Sequence, residues 1–252
     1  LIDIVDPFSY RCDLTMPKYM ISATGDEFFV PDSSQWYFDQ LSGQKYLNYR
    51  PNDSHGLNNN QDITNPDSAI ASLLSFYLGH ISGLTPPEMS WIMNDDGTIR
   101  LYTEESPLNI RVYRAVNASR DFRLDKGVAW SMVQNLSASA MSYTNISIAP
   151  GSGYTAFFAQ VQFANPADPT GQLNLFPYTF TTPVRVLPVV AGANQYLANG
   201  NVYEDFGGTR TNVNATTGFL PFLELHGTAE EMGRQHGMLM NAEIAAFAPA
   251  MI

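Results

Sequence analysis

Two side chains have the type and placement to move a proton. Asp26 follows the apolar run Tyr19–Thr24, and His55 follows the run Lys45–Tyr49, 29 residues further on. An aspartate held against an imidazole fixes its tautomer and stabilises the imidazolium that forms when the ring accepts a proton. The histidine must sit on a loop, where it can face a nucleophile and water. The plain alternative is a turn aspartate and a surface histidine unconnected with each other. A second charged group, Arg120-Asp121-Phe122-Arg123, stands in a stretch poor in charge. A guanidinium offers a bidentate fork to a carboxylate or a peptide terminus. Arg120 and Arg123, with Glu27 beside Asp26, are the candidate substrate-contacting charges. The competing reading, favoured for want of ligand geometry, is an Arg–Asp pair tying a loop to its neighbouring domain.

The elements around these residues read in three zones. From 1 to about 85, Tyr19–Thr24 and Lys45–Tyr49 are strands. Pro31-Asp32-Ser33-Ser34 opens a helix running to Leu41, with Asp32 or Ser33 as its N-cap. Asn65-Pro66-Asp67 opens a second, with Ile70, Leu73, Leu74, Tyr77 and Leu78 at helical spacing. Strand, loop, helix, strand, loop, helix indicates α/β architecture. In α/β-hydrolases the triad acid precedes the histidine in this manner. Pro86-Pro87 marks a boundary, after which helical periodicity disappears. Strands are expected at 91–93, 98–102, 109–116, 143–149, 154–163 and 180–187, in the manner of a β-sandwich. In the fifth, Gln160 and Gln162 alternate with apolar residues, which predicts a half-buried strand. Residues 191–218 read as a linker, and 219–252 as a terminal amphipathic helix or the start of a further domain.

Composition removes several classes of function. Of 252 residues, 44% are apolar, which argues against a disordered chain. Lys and Arg number 13 against 24 Asp and Glu, a net charge of −11. Such a surface lacks the cationic footprint that neutralises phosphates, so nucleic acid is excluded and anionic membranes are disfavoured. No stretch is long and apolar enough for membrane insertion. Low charge fits a secreted or exported protein, periplasmic or extracellular. Asn-x-Ser/Thr acceptors stand at Asn52, Asn117, Asn135, Asn145 and Asn214. Cys12 stands alone, so no internal disulfide forms. No metal-ligand cluster, phosphate loop or nucleotide fingerprint is present, and triad chemistry needs no cofactor.

Longer motifs carry a resemblance. Asp6–Arg11, Leu14–Lys18, Ala23-Thr24-Gly25-Asp26-Glu27-Phe28-Phe29, Pro31–Ser34, Lys45–Leu47 and Pro51-Asn52-Asp53-Ser54-His55 resemble the PhoPQ-activated pathogenicity-related family, to which autocrine proliferation repressor proteins are similar. The likeness continues through Ser75–Tyr77, Trp91, Ala115–Asn117, Arg120–Arg123, Trp130, Gly153–Phe158 and Thr181–Pro188, so it covers about 1–190. It implies the C-terminal part of an α/β-hydrolase domain (1–85), similar to dipeptidyl-peptidase-like serine hydrolases, followed by an immunoglobulin-like β-sandwich (86–190). On that likeness Asp26 is the acid and His55 the base, acting on a peptide or ester. The alternative is a non-catalytic secreted signalling protein on the same scaffold, with a cell-surface protein as partner. One departure matters. There is no Gly-x-Ser-x-Gly elbow, and Ser33, Ser34 and Ser54 follow the acid rather than precede it. The chain reads as beginning after the nucleophile, and no hydrolase turnover is expected from these 252 residues alone.

A shorter likeness lies further on. Leu223–Thr228 with Glu231–Gly237 resembles the opening of the acyltransferase and amidase group that self-cleaves at an internal cysteine. Its nucleophile is expected beyond residue 252, and Cys12 does not take that role. His226 and His236 are not at metal-ligand spacing.

Overall fold

Lys18–Ala23 (β1) and Lys45–Arg50 (β2) form a parallel pair, in register from Lys18↔Lys45 to Ala23↔Arg50. Both are runs of aromatic, aliphatic and other strand-forming residues, buried along almost their whole length. Parallel neighbours need a crossover connection. Here it contains two short 3-10 turns, Ser33–Trp36 and Phe38–Gln40, in place of the expected α-helix. The cause lies in two side chains. Asp32 precedes the first turn without capping it, because its carboxylate accepts from Gln35 Nε2 and pairs with Arg120. Tyr37 and Phe38 are adjacent yet both buried, a demand that a single helical stripe does not meet.

The computed structural model describes residues 6–58, 64, 65, 67–167 and 176–188. Over these the chain is β-rich, with one α-helix. The linker at 191–218 and the helix expected at 219–252 lie outside the described residues, as do Asn214, His226 and His236.

That helix, Ala69–Ile81 (α1), starts at Ser68, whose hydroxyl accepts from the Ala71 N–H at 3.0 Å. It buries its small face: Ala69, Ala71, Ser72, Ser75 and Gly79, with Phe76. The larger Ile70 and Leu78 on the stripe read from sequence are exposed. Close approach explains the choice. A Cβ on Gly79 would meet the Tyr178 hydroxyl at 1.6 Å, and the Ser75 hydroxyl donates to the Phe176 carbonyl.

The remaining strands are antiparallel. Met89–Met93 (β3), Ile99–Thr103 (β4) and Ser142–Ile146 (β7) form a three-stranded sheet in the order β3-β4-β7. Asn109–Asn117 (β5), Ser131–Leu136 (β6), Tyr154–Phe163 (β8), Tyr178–Thr181 (β9) and Arg185–Leu187 (β10) form a five-stranded sheet in the order β10-β8-β5-β6, with β9 also on β8. Three features differ from expectation. Strand β6 is an edge strand with mostly exposed side chains, so it has no apolar alternation to betray it. The run at 180–187 is two strands, interrupted at Pro183, which has no N–H for the ladder. Thr182 bridges the gap through its N–H and hydroxyl to Ala159. Strand β8 is buried on both faces rather than one, Gln160 being 1% and Gln162 4% exposed. The face expected to meet water is covered by the parallel pair, and Gln162 is satisfied by Asp67 and Thr179.

Two apolar clusters hold these parts together. In one, Ile99, Leu101 and Ile146 of the three-stranded sheet meet Ile110, Val112, Phe157 and Val161 of the five-stranded sheet, with Tyr19, Ile21, Tyr46 and Phe76. In the other, Met20, Leu47 and Tyr49 meet Tyr37, Phe122, Trp130 and Phe158. Alternate residues of β1 thus serve different clusters, as strand geometry requires. Each such side chain contributes roughly 1.5–3 kcal/mol by leaving water. Both clusters draw residues from either side of residue 86.

Candidate active site

Because β1 and β2 are parallel, their carboxyl ends lie side by side and the loops that follow emerge together. The ladder extends past both strands. The Thr24 N–H donates to the Arg50 carbonyl, the Gly25 N–H to the Asp53 carbonyl, and the Asn52 N–H to the Thr24 hydroxyl. Asn52 turns the second loop with φ +59°, a left-handed conformation that asparagine tolerates better than most residues. Its side chain donates to the Trp130 carbonyl at 2.8 Å and accepts from the Trp130 N–H at 2.7 Å. The first loop is tied to the same neighbouring region, since the Leu124 N–H donates to the Gly25 carbonyl at 3.1 Å. A Cβ on Gly25 would lie 2.8 Å from Leu124 Cβ, so the contact needs a glycine.

These ties bring Asp26 and His55 together. Asp26 Oδ2 lies 3.1 Å from His55 Nδ1. The other oxygen, Oδ1, accepts from the N–H groups of Phe28 at 2.8 Å and Phe29 at 3.0 Å. An ionised carboxylate only accepts hydrogen bonds, so it makes Nδ1 the protonated nitrogen and leaves Nε2 its lone pair. Among the described residues nothing hydrogen-bonds Nε2. The side chains are 32% exposed for His55 and 12% for Asp26, so the ring reaches solvent while the carboxylate is sheltered. Burial pushes the Asp26 carboxyl above its ordinary value, against the pull of hydrogen bonds from Phe28, His55 and Phe29. Phe28 stands edge-on to the imidazole with ring centres 4.7 Å apart, and Phe29 lies at 5.8 Å. Glu27 sits beside the pair, and its Oε2 accepts from the His55 main-chain N–H at 2.9 Å.

Arg120 and Arg123 lie elsewhere and are buried. Arg120 pairs with Asp32, 88 residues away, joining the segment after β5 to the first 3-10 turn. Arg123 holds Asp121 with Nε and Nη2, the latter at 2.6 Å. Sequence reasoning missed Thr24, Gly25, Asn52 and Leu124, which align the two loops. The only local signal was an asparagine in the loop just past a strand and its proline; read as a glycosylation acceptor, it has its amide nitrogen committed to Trp130. No group of three His, Cys, Asp or Glu side chains that could hold a metal occurs among the described residues, and no described helix is long and apolar enough to cross a membrane.

Fold and site together define a β-rich protein with a sheltered carboxylate and a half-exposed histidine at the end of a parallel strand pair. Residues 1–123, which contain Asp26, Glu27, His55, Arg120 and Arg123, match the family model described as PhoPQ-activated pathogenicity-related protein. That segment is similar to the PhoPQ-activated pathogenicity-related family. The chain is also 30% identical over 211 residues to autocrine proliferation repressor protein A of Dictyostelium discoideum. The aligned region is 75% of this chain and 41% of that relative, so the chain spans less than half the relative's length. No solved structure matches the chain.

Proposed function

We propose that Asp26 and His55 are the acid and the base of a serine-hydrolase-type site acting on peptides or esters. The observation that carries this reading is the Asp26 Oδ2–His55 Nδ1 contact on an imidazole whose side chain is 32% exposed. In that arrangement the carboxylate orients the ring, and Nε2 takes a proton from a hydroxyl nucleophile and returns it to the leaving group. The parallel pair and α1 are read as the C-terminal part of an α/β-hydrolase domain, and the antiparallel strands as an immunoglobulin-like sandwich packed on it. The protein is read as exported. Arg120 and Arg123, each already paired with a carboxylate, act in the scaffold on this reading rather than on substrate.

The test is hydrolysis of a p-nitrophenyl ester and an aminoacyl p-nitroanilide by the full product of the gene and by the 252-residue chain. Turnover by the full product that falls by at least ~10³-fold in both His55→Ala and Asp26→Asn supports the reading. Turnover that survives both substitutions overturns it. A second reading, a non-catalytic secreted signalling protein, is favoured by the name of the Dictyostelium relative. Absence of turnover from a folded full-length product, with specific binding to cells, is its expected outcome.

A further inference from the structure

The geometry points to Glu27 as the positioning residue of this site, a carboxylate that holds the histidine by its main chain while Asp26 holds it by its ring. This inference rests on the Asp26–His55 reading. The two acids are consecutive, yet they grip different parts of one residue. Asp26 Oδ2 meets Nδ1 at 3.1 Å, and Glu27 Oε2 accepts from the His55 N–H at 2.9 Å. A part-buried main-chain donor gains from a partner, and a carboxylate is the strongest one available. Asp26 alone would fix one atom of a ring that can still swing with its loop. Anchoring the main chain as well determines where Nε2 points, and displacements of about 1 Å are enough to weaken proton transfer severely. Glu27 therefore acts through His55 and does not touch the reacting atoms. The remaining charges nearby, Asp53 and Asp26, are engaged by the adjoining loop: Ser54 N–H donates to Asp53, and Phe28 and Phe29 N–H groups donate to Asp26.

The experiment uses the 15N-labelled 252-residue chain at neutral pH. Long-range 1H–15N spectra report the tautomer of His55, and hydrogen exchange reports its amide. The wild type is expected to show the Nδ1–H tautomer and a protected His55 amide. Glu27→Ala is expected to speed exchange of that amide by roughly tenfold or more and to erode the Nδ1–H preference several-fold. Glu27→Gln, which keeps an acceptor oxygen at the same reach, is expected to restore both. Glu27→Asp, one methylene shorter, is expected to behave like alanine and serves if the alanine variant does not fold. A folded Glu27→Ala or Glu27→Asp chain with the wild-type tautomer and wild-type amide exchange overturns the inference. The Asp26–His55 reading is judged separately by Asp26→Asn. Loss of the Nδ1–H tautomer there, together with no change on altering Glu27, leaves that reading standing and removes only the role of Glu27. A wild-type ring without Nδ1–H preference overturns both.

Discussion

Asp26–His55 and Asp32–Arg120 are both carboxylate–nitrogen contacts between distant parts of the chain, placed in opposite surroundings. The first has side chains 32% and 12% exposed. The second is 6% and 2% exposed and enclosed by the fold. The difference is one of access to water. Charges taken fully out of water are kept by mutual pairing, and losing one partner strands the other. A carboxylate sheltered behind a half-exposed imidazole retains a place where a proton can enter and leave. Gly25 and Leu124 join the two regions through a main-chain hydrogen bond, beside the Asn52–Trp130 bonds.

The comparison can be broken at several points. The largest effect is expected at the buried pair: Asp32→Ala leaves Arg120 without its carboxylate and should cost about 3–5 kcal/mol of unfolding free energy, read by urea denaturation. A loss below about 1 kcal/mol would mean that the guanidinium reaches water after all. Next comes the link between the regions. Gly25→Ala drives a methyl against Leu124 and should cost about 1–3 kcal/mol. If it costs nothing, the two regions are not held together there. His55→Ala, at the exposed end, should change stability by no more than about 1 kcal/mol, as expected for a partly solvated pair. A larger loss would make His55 a structural residue.

Asp26→Asn should leave the fold intact and reverse the imidazole. The amide oxygen stays with the Phe28 and Phe29 N–H groups, the amide nitrogen then faces Nδ1, and the proton moves to Nε2. Retention of the Nδ1–H tautomer would show that the carboxylate does not set it.

The smallest effect is a pH dependence. The Asp26 carboxyl is raised above its ordinary value of 3.8 by burial, so the folded chain binds that proton more tightly than the unfolded chain. Its contribution is fully present below the ordinary value and is lost as pH rises through the raised one. The stability of wild type relative to Asp26→Asn should therefore fall as pH rises from the ordinary value through the raised one. A flat difference across that range would contradict the sheltered position.

How far the chain could be read in advance depended on distance along it. The parallel strands were legible because short runs rich in apolar and aromatic residues end in loop residues, and Asp26 and His55 were legible as loop residues for the same reason. The helix at 69–81 was legible as a helix, though its buried face was not: hydrophobicity selects Ile70 and Leu78, whereas close packing against Tyr178 selects Gly79 and the Phe176 carbonyl takes Ser75. Gln160 and Gln162 looked solvent-facing because polar alternation carries no information about a second layer above the sheet. The helix expected at 33–41 gave way to 3-10 turns once Arg120 and Gln35 engaged the Asp32 carboxylate.

By itself, then, the amino-acid sequence determined the acidic balance, the strands with internal alternation, the chemical types at 26 and 55, and the family model that its first 123 residues match. Those follow from side-chain chemistry and local spacing. Tertiary structure alone decided that Asp26 meets His55 across 29 residues, that Asp32 is taken by Arg120 across 88, and that Glu27 grips a main-chain N–H. Each of these contacts depends on which strand ends are brought side by side and which faces are covered. Packing of the whole chain sets both, and no local pattern records them.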